Sequence, residues 1–489
     1  MKIKSLKVSD FYILKDFEIE FNNNLSVLIG ENGSGKSTIL ELIADIFGHL
    51  HKFFVLKDKT AEFVENYEVV YDYVRYNVLY TIEIHSQQYV DNPSCTFIPK
   101  IWINEEELSI AQIERKYDGM ASLLPQKTIL GYAGISDHLK TLSEHFEKKY
   151  KREIIRENNE YSFSPLNLPQ ERPFIYIKPE HLSMLIVSLF FSGNLQDTDF
   201  LSEYLGLDKN ECRISIVFKK PSWTRKPKEK WWGASGNVAL QFLQAMDFYA
   251  DKEDWDKEKN DILTYHFDGT VNLEMAFADL NAYSKDIAFT ILDTLLFDDL
   301  LSKIIISWEL DNGDEMDLTR LSEGQKQVVL TQGINSVLGE EEKNLLYLYD
   351  EPDVFLHPKW QQAFVDNIRN ALDETSMAII TSHSPSIVSD LKNQNLHLLR
   401  KGKVVTKSLK YYGKTVESIL EDYFDLKSTR SNDVTNQIAS LWKQIQNNEY
   451  MTEAFEKEMQ ELTSILGADD MEIMAMKRDM LRKEYEKNK

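Results

Sequence analysis

The segment Gly30-Glu31-Asn32-Gly33-Ser34-Gly35-Lys36-Ser37-Thr38 sets glycines ahead of a lysine and two hydroxyls, at the spacing G-x-x-x-x-G-K-[ST]. Glycines let a backbone wrap an anion so that successive N–H groups point inward, and a helix starting there favours negative charge. In such a loop Lys36 would bridge the β- and γ-phosphates of ATP and Ser37 would ligate Mg²⁺. A second candidate is Asp350-Glu351, which closes the apolar run Leu345–Tyr349. A strand of this kind delivers carboxylates to the ligand-binding edge of a parallel sheet. Asp350 would hold Mg²⁺ through water, and Glu351 would polarise an attacking water as general base.

Two further stretches are ambiguous taken alone. Leu321-Ser322-Glu323-Gly324-Gln325-Lys326-Gln327 reads first as a helix N-cap, since a Ser ahead of a Glu or Gln caps orphan N–H groups. Ile379-Ile380-Thr381-Ser382-His383-Ser384-Pro385 is an apolar strand ending on a histidine.

The elements that must position these residues follow from periodicity. Residues 3–29 read as strand, turn, strand, with the buried-type run Leu25–Ile29 ending at Gly30. The spacing predicts a helix from Lys36 to about Phe47, turning Ile39, Leu40, Leu42 and Ile43 toward a sheet. Residues 66–104 alternate as antiparallel strands do, and 135–155 form one amphipathic helix through Leu139, Leu142, Phe146 and Tyr150. No heptad pattern extends that helix into a coiled-coil arm. Residues 165–232 look loop-rich and 234–310 mainly helical. Strand–helix alternation then returns with a strand at Leu345–Tyr349, a helix near Trp360–Leu372 and a strand at Met377–Thr381. Beyond Tyr412 a helical hairpin is expected, from Ile438, Leu441 and Ile445 and then Phe455, Met459 and Leu462, with Gly467 as its C-cap.

Composition narrows the classes. Seventy-nine acidic against 56 basic residues give a net charge of −23, which argues against a protein that coats nucleic acid. The local basic stretch Lys219–Lys228, interleaved with Trp223 and followed by Trp231 and Trp232, reads first as a solvated loop. Cys95 and Cys212 are too far apart for a metal clip and too few for a disulfide framework. No apolar signal segment opens the chain, and the run Met184–Phe191 is far too short for a bilayer. A cytoplasmic protein that uses no membrane is expected.

Taken in order, the phosphate loop, long insertion, LSEGQ, DEPD-x-x-LHP and TSHSP resemble the ABC-type ATPases of the AAA15/AAA21 group, which includes recombination ATPases, overcoming-lysogenization nucleases and phage-defence ATPases. The resemblance implies an α/β fold: an ABC-type P-loop head, a mixed sheet flanked by helices, with an inserted α/β lobe and a C-terminal helical region. It divides the chain into a first ATPase lobe (1–110), a largely helical insert (111–310), a second ATPase lobe (311–411) and a helical partner-docking region (412–489). It implies that Ser322, Gly324 and Gln325 clasp the γ-phosphate of ATP held by a second copy, so that a head-to-head homodimer forms, and that Asp353 spans the interface. It also implies that His383 orients the attacking water. Gln126, ahead of the β-like run to Gly131-Tyr132, is the candidate for the glutamine that joins Mg²⁺ and nucleotide to the insert. Glu323 stands where transporter ATPases carry Gly, which sets those apart.

Leu124-Pro125 leading to Gly131-Tyr132-Ala133-Gly134, the stretch Trp231-Trp232-Gly233-Ala234-x-Gly236 and the ending Leu466–Ile473 are similar to the ATPase subunit of Septu and retron defence systems (PtuA-type). That likeness implies slow or regulatory ATP hydrolysis to ADP and phosphate, and a separate HNH endonuclease as partner, through which the complex reaches nucleic acid. No nuclease site is legible in this chain; Asp469-Asp470-Met471-Glu472 reads as a helix N-terminus. The rival reading is a recombination-type, ATP-dependent clamp on duplex DNA.

Overall fold

The computed structural model describes residues 1–489 apart from 58–65, 88–97, 133–137, 158–171, 192–194, 235–236, 257, 311, 340–342, 392–395, 406–409, 425, 427 and 488–489. Cys95, Ala133, Gly134, Gly236 and the expected helix start at 135–137 lie outside the described residues.

The chain opens with β1 (Lys2–Phe11), β2 (Leu14–Glu20), β3 (Leu25–Gly30), α1 (Lys36–Phe54) and β4 (Tyr67–Arg75). There follow β5 (Val78–Gln87), β6 (Ile98–Ile103), β7 (Glu106–Leu108), α2 (Ile110–Tyr117), β8 (Thr128–Tyr132), α3 (His138–Glu157) and β9 (Phe174–Tyr176). Next come α4 (His181–Phe190), α5 (Leu195–Leu205), β10 (Arg213–Lys219), α6 (Asn237–Tyr249), β11 (Lys252–Trp255) and β12 (Ile262–Asp268). They lead to α7 (Val271–Asp279), α8 (Lys285–Phe297), β13 (Leu301–Glu309), β14 (Glu315–Asp317) and α9 (Glu323–Gly339). The head is completed by β15 (Leu346–Asp350), α10 (Pro358–Ala371), β16 (Met377–Thr381), α11 (Pro385–Asp390), β17 (Leu396–Arg400) and β18 (Lys403–Val404).

Two sheets build the head. The first runs β2-β1-β4-β5-β6-β7 and is antiparallel throughout. Its strands alternate buried and outward residues, as one-sided packing requires. The second runs β18-β17-β3-β16-β15-β8-β9, with β17, β3, β16, β15, β8 and β9 parallel. In β3, β15 and β16 every residue is buried, because helices and the first sheet cover both faces of a parallel sheet. Ile39, Leu40, Ile43 and Phe47 of α1 lie in one core with Ile3 and Leu6 of β1, Tyr71 of β4 and Leu346 and Leu348 of β15.

The stretch 234–310 holds the helices α6, α7 and α8 as expected, and also three strands of a third sheet, β11-β12-β10-β13-β14, that the reading did not include. Apolar density suggested helix for those strands too, but their period is two. In β12, Leu263, Tyr265 and Phe267 are buried while Thr264 and His266 are less so. In β13, Ile304, Ile306 and Trp308 do the same. The stretch 165–232, read as loop-rich, holds α4, α5 and β10; α4 packs on α8 and α9. The insert is also interrupted: β8 and β9 join the head sheet, and the third sheet extends to Asp317, past residue 310.

The contacts group residues 1–413 as one unit and 414–489 as a second. The second holds α12 (Val416–Tyr423), α13 (Asn432–Gln446), α14 (Glu453–Leu466) and α15 (Met471–Lys487). Leu441, Ile445, Phe455, Met459 and Leu462 share a core with Ile473 and Met476. The expected hairpin is therefore a three-helix cluster, and Gly467 caps α14 at φ 91°. Among the described residues no helix is long and apolar enough to cross a membrane.

Candidate functional site

Register brings the chemistry together. Asp350, the last residue of β15, pairs with Thr381 at the end of β16, and Thr381 pairs with Leu28, two residues before Gly30. Three strand ends therefore open on the start of α1. Gly30 has φ 151°, and a Cβ there would stand 2.3 Å from the Leu399 carbonyl oxygen and 2.7 Å from Ser34 Oγ. Only glycine fits, so the loop lies tight against β17.

A second glycine holds the loop from outside. The Gly402 N–H, between β17 and β18, donates to the Ser34 carbonyl at 2.9 Å. Gly402 has φ 75°, and its Cβ would meet the Ile13 carbonyl oxygen at 2.3 Å. Gly402→Ala is expected to cost about 1–3 kcal/mol of stability through backbone strain and to weaken ATP binding. Chemical denaturation and calorimetric titration measure the two effects.

Lys36 is 5% exposed. Its Nζ donates to the carbonyls of Gly30 (3.0 Å) and Glu31 (3.1 Å). Burial lowers its pKa, opposed by the charges of Glu351 and Asp350. The ammonium lies over the loop whose N–H groups would face a phosphate. Ser37 Oγ donates to Asp350 Oδ1 at 3.0 Å, and Thr381 Oγ1 donates to the same oxygen. Burial raises the Asp350 carboxyl above its ordinary value, and these two hydroxyls counter the shift. A hydroxyl beside one buried carboxylate is a hard-oxygen donor set of the kind Mg²⁺ accepts, with phosphates and water completing its shell. The residues fit Mg-ATP.

Glu351 has φ 50°, and its N–H donates to Thr381 Oγ1 at 2.9 Å. This unusual backbone turns the side chain out of the sheet, where its Oε1 lies 3.0 Å from His383 Nε2. Burial and the nearby Lys36 charge lower the His383 pKa, while Glu351 opposes them. A neutral imidazole beside a carboxylate can pass or hold a proton on water.

The AAA ATPase domain family (AAA_15) matches residues 1–388. The chain belongs to that family. It is similar to the "Retron Vc95 probable ATPase" of Vibrio cholerae serotype O1 biovar El Tor, 23% identical over 438 residues, covering 81% of this chain and 74% of that one. It is 25% identical over 142 residues to the "Retron Ec83 probable ATPase" of Escherichia coli, covering 29% of this chain and only 26% of that one. It is 34% identical over 122 residues to the "Septu protein PtuA" of Bacillus thuringiensis, covering 23% and 31% of the two chains.

Within this AAA-family head, Thr381 is the residue that sequence reasoning missed. It anchors both Asp350 and Glu351, and the only signal for it was its place in the TSHSP stretch. Asn32 and Gly33 are exposed on the loop, Ser34 is buried, Gly35 is the N-cap of α1, and Thr38 is partly buried one residue beyond Ser37.

Gln126 is a correction. It precedes β8, which runs parallel to β15, so Gln126 lies at the opposite edge of the sheet from Asp350. Its Oε1 accepts from the Lys343 N–H at 2.9 Å. Gln126 stands six positions before Tyr132, the residue that pairs with Asp350, a separation of about 20 Å in extended chain.

Asp353 is 2% exposed, and its Oδ2 accepts from Ser382 Oγ at 2.7 Å, so within the single chain it ties the loop after β15 to the residue after β16. Burial raises its carboxyl to about 6. The folded state therefore binds this proton more tightly than the unfolded chain, and the stabilisation is lost as pH rises through 6. Between about pH 4 and pH 7 the loss amounts to roughly 1–3 kcal/mol. Asp353→Asn is expected to remove it, read as the wild-type-minus-variant slope of unfolding free energy against pH.

Ser322 and Gln325 form a capping box: Ser322 Oγ accepts from the Gln325 N–H at 3.2 Å, and Gln325 Oε1 from the Ser322 N–H at 2.9 Å. A Cβ on Gly324 would stand 2.6 Å from the Phe355 carbonyl oxygen, so the start of α9 packs tightly on the loop after Glu351.

The basic, tryptophan-rich stretch is structural. Trp223, Trp231 and Trp232 donate to the Asp298 carbonyl, Tyr265 Oη and the Asn260 carbonyl. Lys219, Lys220, Lys226 and Lys230 pair with Asp299, Asp261, Glu229 and Asp247. In the acidic ending, Asp470 pairs with Arg430 and accepts from the Glu472 N–H, and Glu472 accepts from Trp442.

Proposed function

We propose that this chain holds Mg-ATP between two copies of itself and hydrolyses it slowly, as the regulatory subunit of an anti-phage defence complex with a separate HNH endonuclease. One observation carries the ATPase part: Lys36, Ser37, Asp350, Glu351 and His383 converge at one sheet edge, with Ser37 on Asp350 and His383 on Glu351. Lys36 and the loop N–H groups bind the phosphates. Ser37 and Asp350 hold the metal, which supplies charge neutralisation and orients the phosphates. Glu351 accepts the proton of the attacking water while His383 positions it. Ser322 and Gly324, at the start of α9, reach the nucleotide of the second copy. The names of its retron and Septu relatives favour a defence setting over a DNA clamp, and residues 412–489 are the docking region for the nuclease.

The test is purification of the tagged chain from its native host in Mg-ATP, followed by mass identification of any HNH protein that comes with it. Co-purification that is lost on truncation after residue 412, with ATP binding retained, is the expected result. A chain that ignores the nuclease and hydrolyses ATP faster with duplex DNA is the clamp.

A further inference from the structure

A cavity of about 780 Å³ opens at the sheet edge opposite the phosphate loop. Its floor is the segments that lead into β8, β9, β15 and β16, and its walls come from the end of α1, the β4–β5 turn and α3. This volume suits a small organic ligand. Among the described lining residues, the cations Arg75, Lys149, Arg172 and Lys343 face the one carboxylate of Glu153, in a chain whose net charge is −23. Part of that charge is already matched: Arg75 pairs with Asp118 at 2.6 Å, Lys149 lies 3.6 Å from Glu153, and Arg172 Nη2 donates to Asp293.

Two buried polar groups in the lining still have capacity. The Arg172 side chain is 3% exposed, yet its Nη1 has no hydrogen-bond acceptor, with the Glu147 carboxylate standing 3.7 Å away. His51 is 5% exposed, and burial lowers its pKa to about 4 while the Pro125 carbonyl opposes the shift. Neither ring nitrogen of His51 has a hydrogen-bond partner, and a neutral ring offers one donor and one acceptor. Buried polar groups are ordinarily paired, so the unpartnered Arg172 Nη1 and His51 ring nitrogens, on two residues of the lining, point to a ligand bearing their complements. Tyr73, Tyr76, Phe146 and Tyr150 add flat apolar surface, and Tyr76 is 85% exposed at the mouth.

We propose that this cavity is a second ligand site, taking a nucleotide-sized organic anion with a flat, hydrogen-bonding ring, separate from ATP in the phosphate loop. Arg172 and Lys343 take the anion, the tyrosines take the ring face, and His51 takes a ring N–H. The same two elements reach both sites: α1 runs from Lys36 to the cavity wall at His51, and β15 begins two residues after Asn344 of the cavity floor and ends at Asp350.

The test uses the full-length chain carrying Lys36→Ala, which takes the phosphate loop out of the measurement. AMP, CMP, GMP and UMP are titrated into it calorimetrically. At least one is expected to bind with Kd below about 1 mM, at least about tenfold more tightly than adenosine or inorganic phosphate. Tyr76→Ala alone, and Lys149→Glu with Lys343→Glu, are expected to weaken it at least about tenfold without moving the melting temperature. No saturable binding of any of the four, or binding that ignores both sets of surface substitutions, overturns the proposal. The proposal stands apart from the ATPase reading, whose failure would show as ATP binding that survives Lys36→Ala.

Discussion

Glu351→Gln is expected to leave ATP binding intact while lowering turnover by about 10²–10⁴-fold, the usual contribution of a positioned general base. The carboxylate sits 3.0 Å from His383 Nε2, at the one point where the φ of 50° carries the chain out of the sheet. Gln keeps the volume, the backbone and an acceptor for His383, so Ser37, Asp350 and Thr381 stay in place. It loses only the ability to take a proton from water. Nucleotide should then persist as ATP on the protein instead of leaving as ADP. Phosphate release and the ATP:ADP ratio of retained nucleotide are the measurements. Unchanged turnover would clear Glu351 as the base and shift attention to Asp350 or His383.

Lys36→Ala is expected to weaken ATP binding by about 100-fold or more. Lys36 donates to the Gly30 and Glu31 carbonyls of the loop. Its removal costs charge-assisted bonds to phosphate oxygens, each about 1.5–3 kcal/mol. The loop is also held by the Gly402 N–H on the Ser34 carbonyl and by the close packing of Gly30 on Leu399, contacts that remain without the ammonium, so the variant should fold. Ligand that binds only the folded state stabilises it by about 2.7 kcal/mol at a hundredfold excess over Kd. Wild type should therefore melt higher in Mg-ATP, and the variant should not. Equal stabilisation of both would remove the phosphate-loop assignment.

Much of the site was legible because its parts are local in sequence. A glycine loop between a buried strand and a helix, or two carboxylates at a strand end, announce their chemistry within ten residues. What was hidden depends on pairing between distant strands. Thr381 matters only because β16 stands in register with β15, setting its hydroxyl on Asp350. Gln126 misled because it precedes a β-like run, and only the direction of β8 relative to β15 shows that it lies at the wrong edge. Asp353 follows the acidic pair as an interface residue should, yet burial against Ser382 is a tertiary fact. The third sheet was missed through period, since Leu263, Tyr265 and Phe267 alternate where apolar content alone suggested helix.

The central claim is that ATP closes the phosphate loop of one copy against Ser322 and Gly324 of another. Light scattering on Glu351→Gln, in Mg-ATP and then in Mg-ADP, tests it most directly. Twice the monomer mass in ATP, the monomer mass in ADP, and no dimer once Ser322→Arg is added are the expected results. A protein that binds ATP by calorimetry yet remains monomeric in both nucleotides would contradict the account.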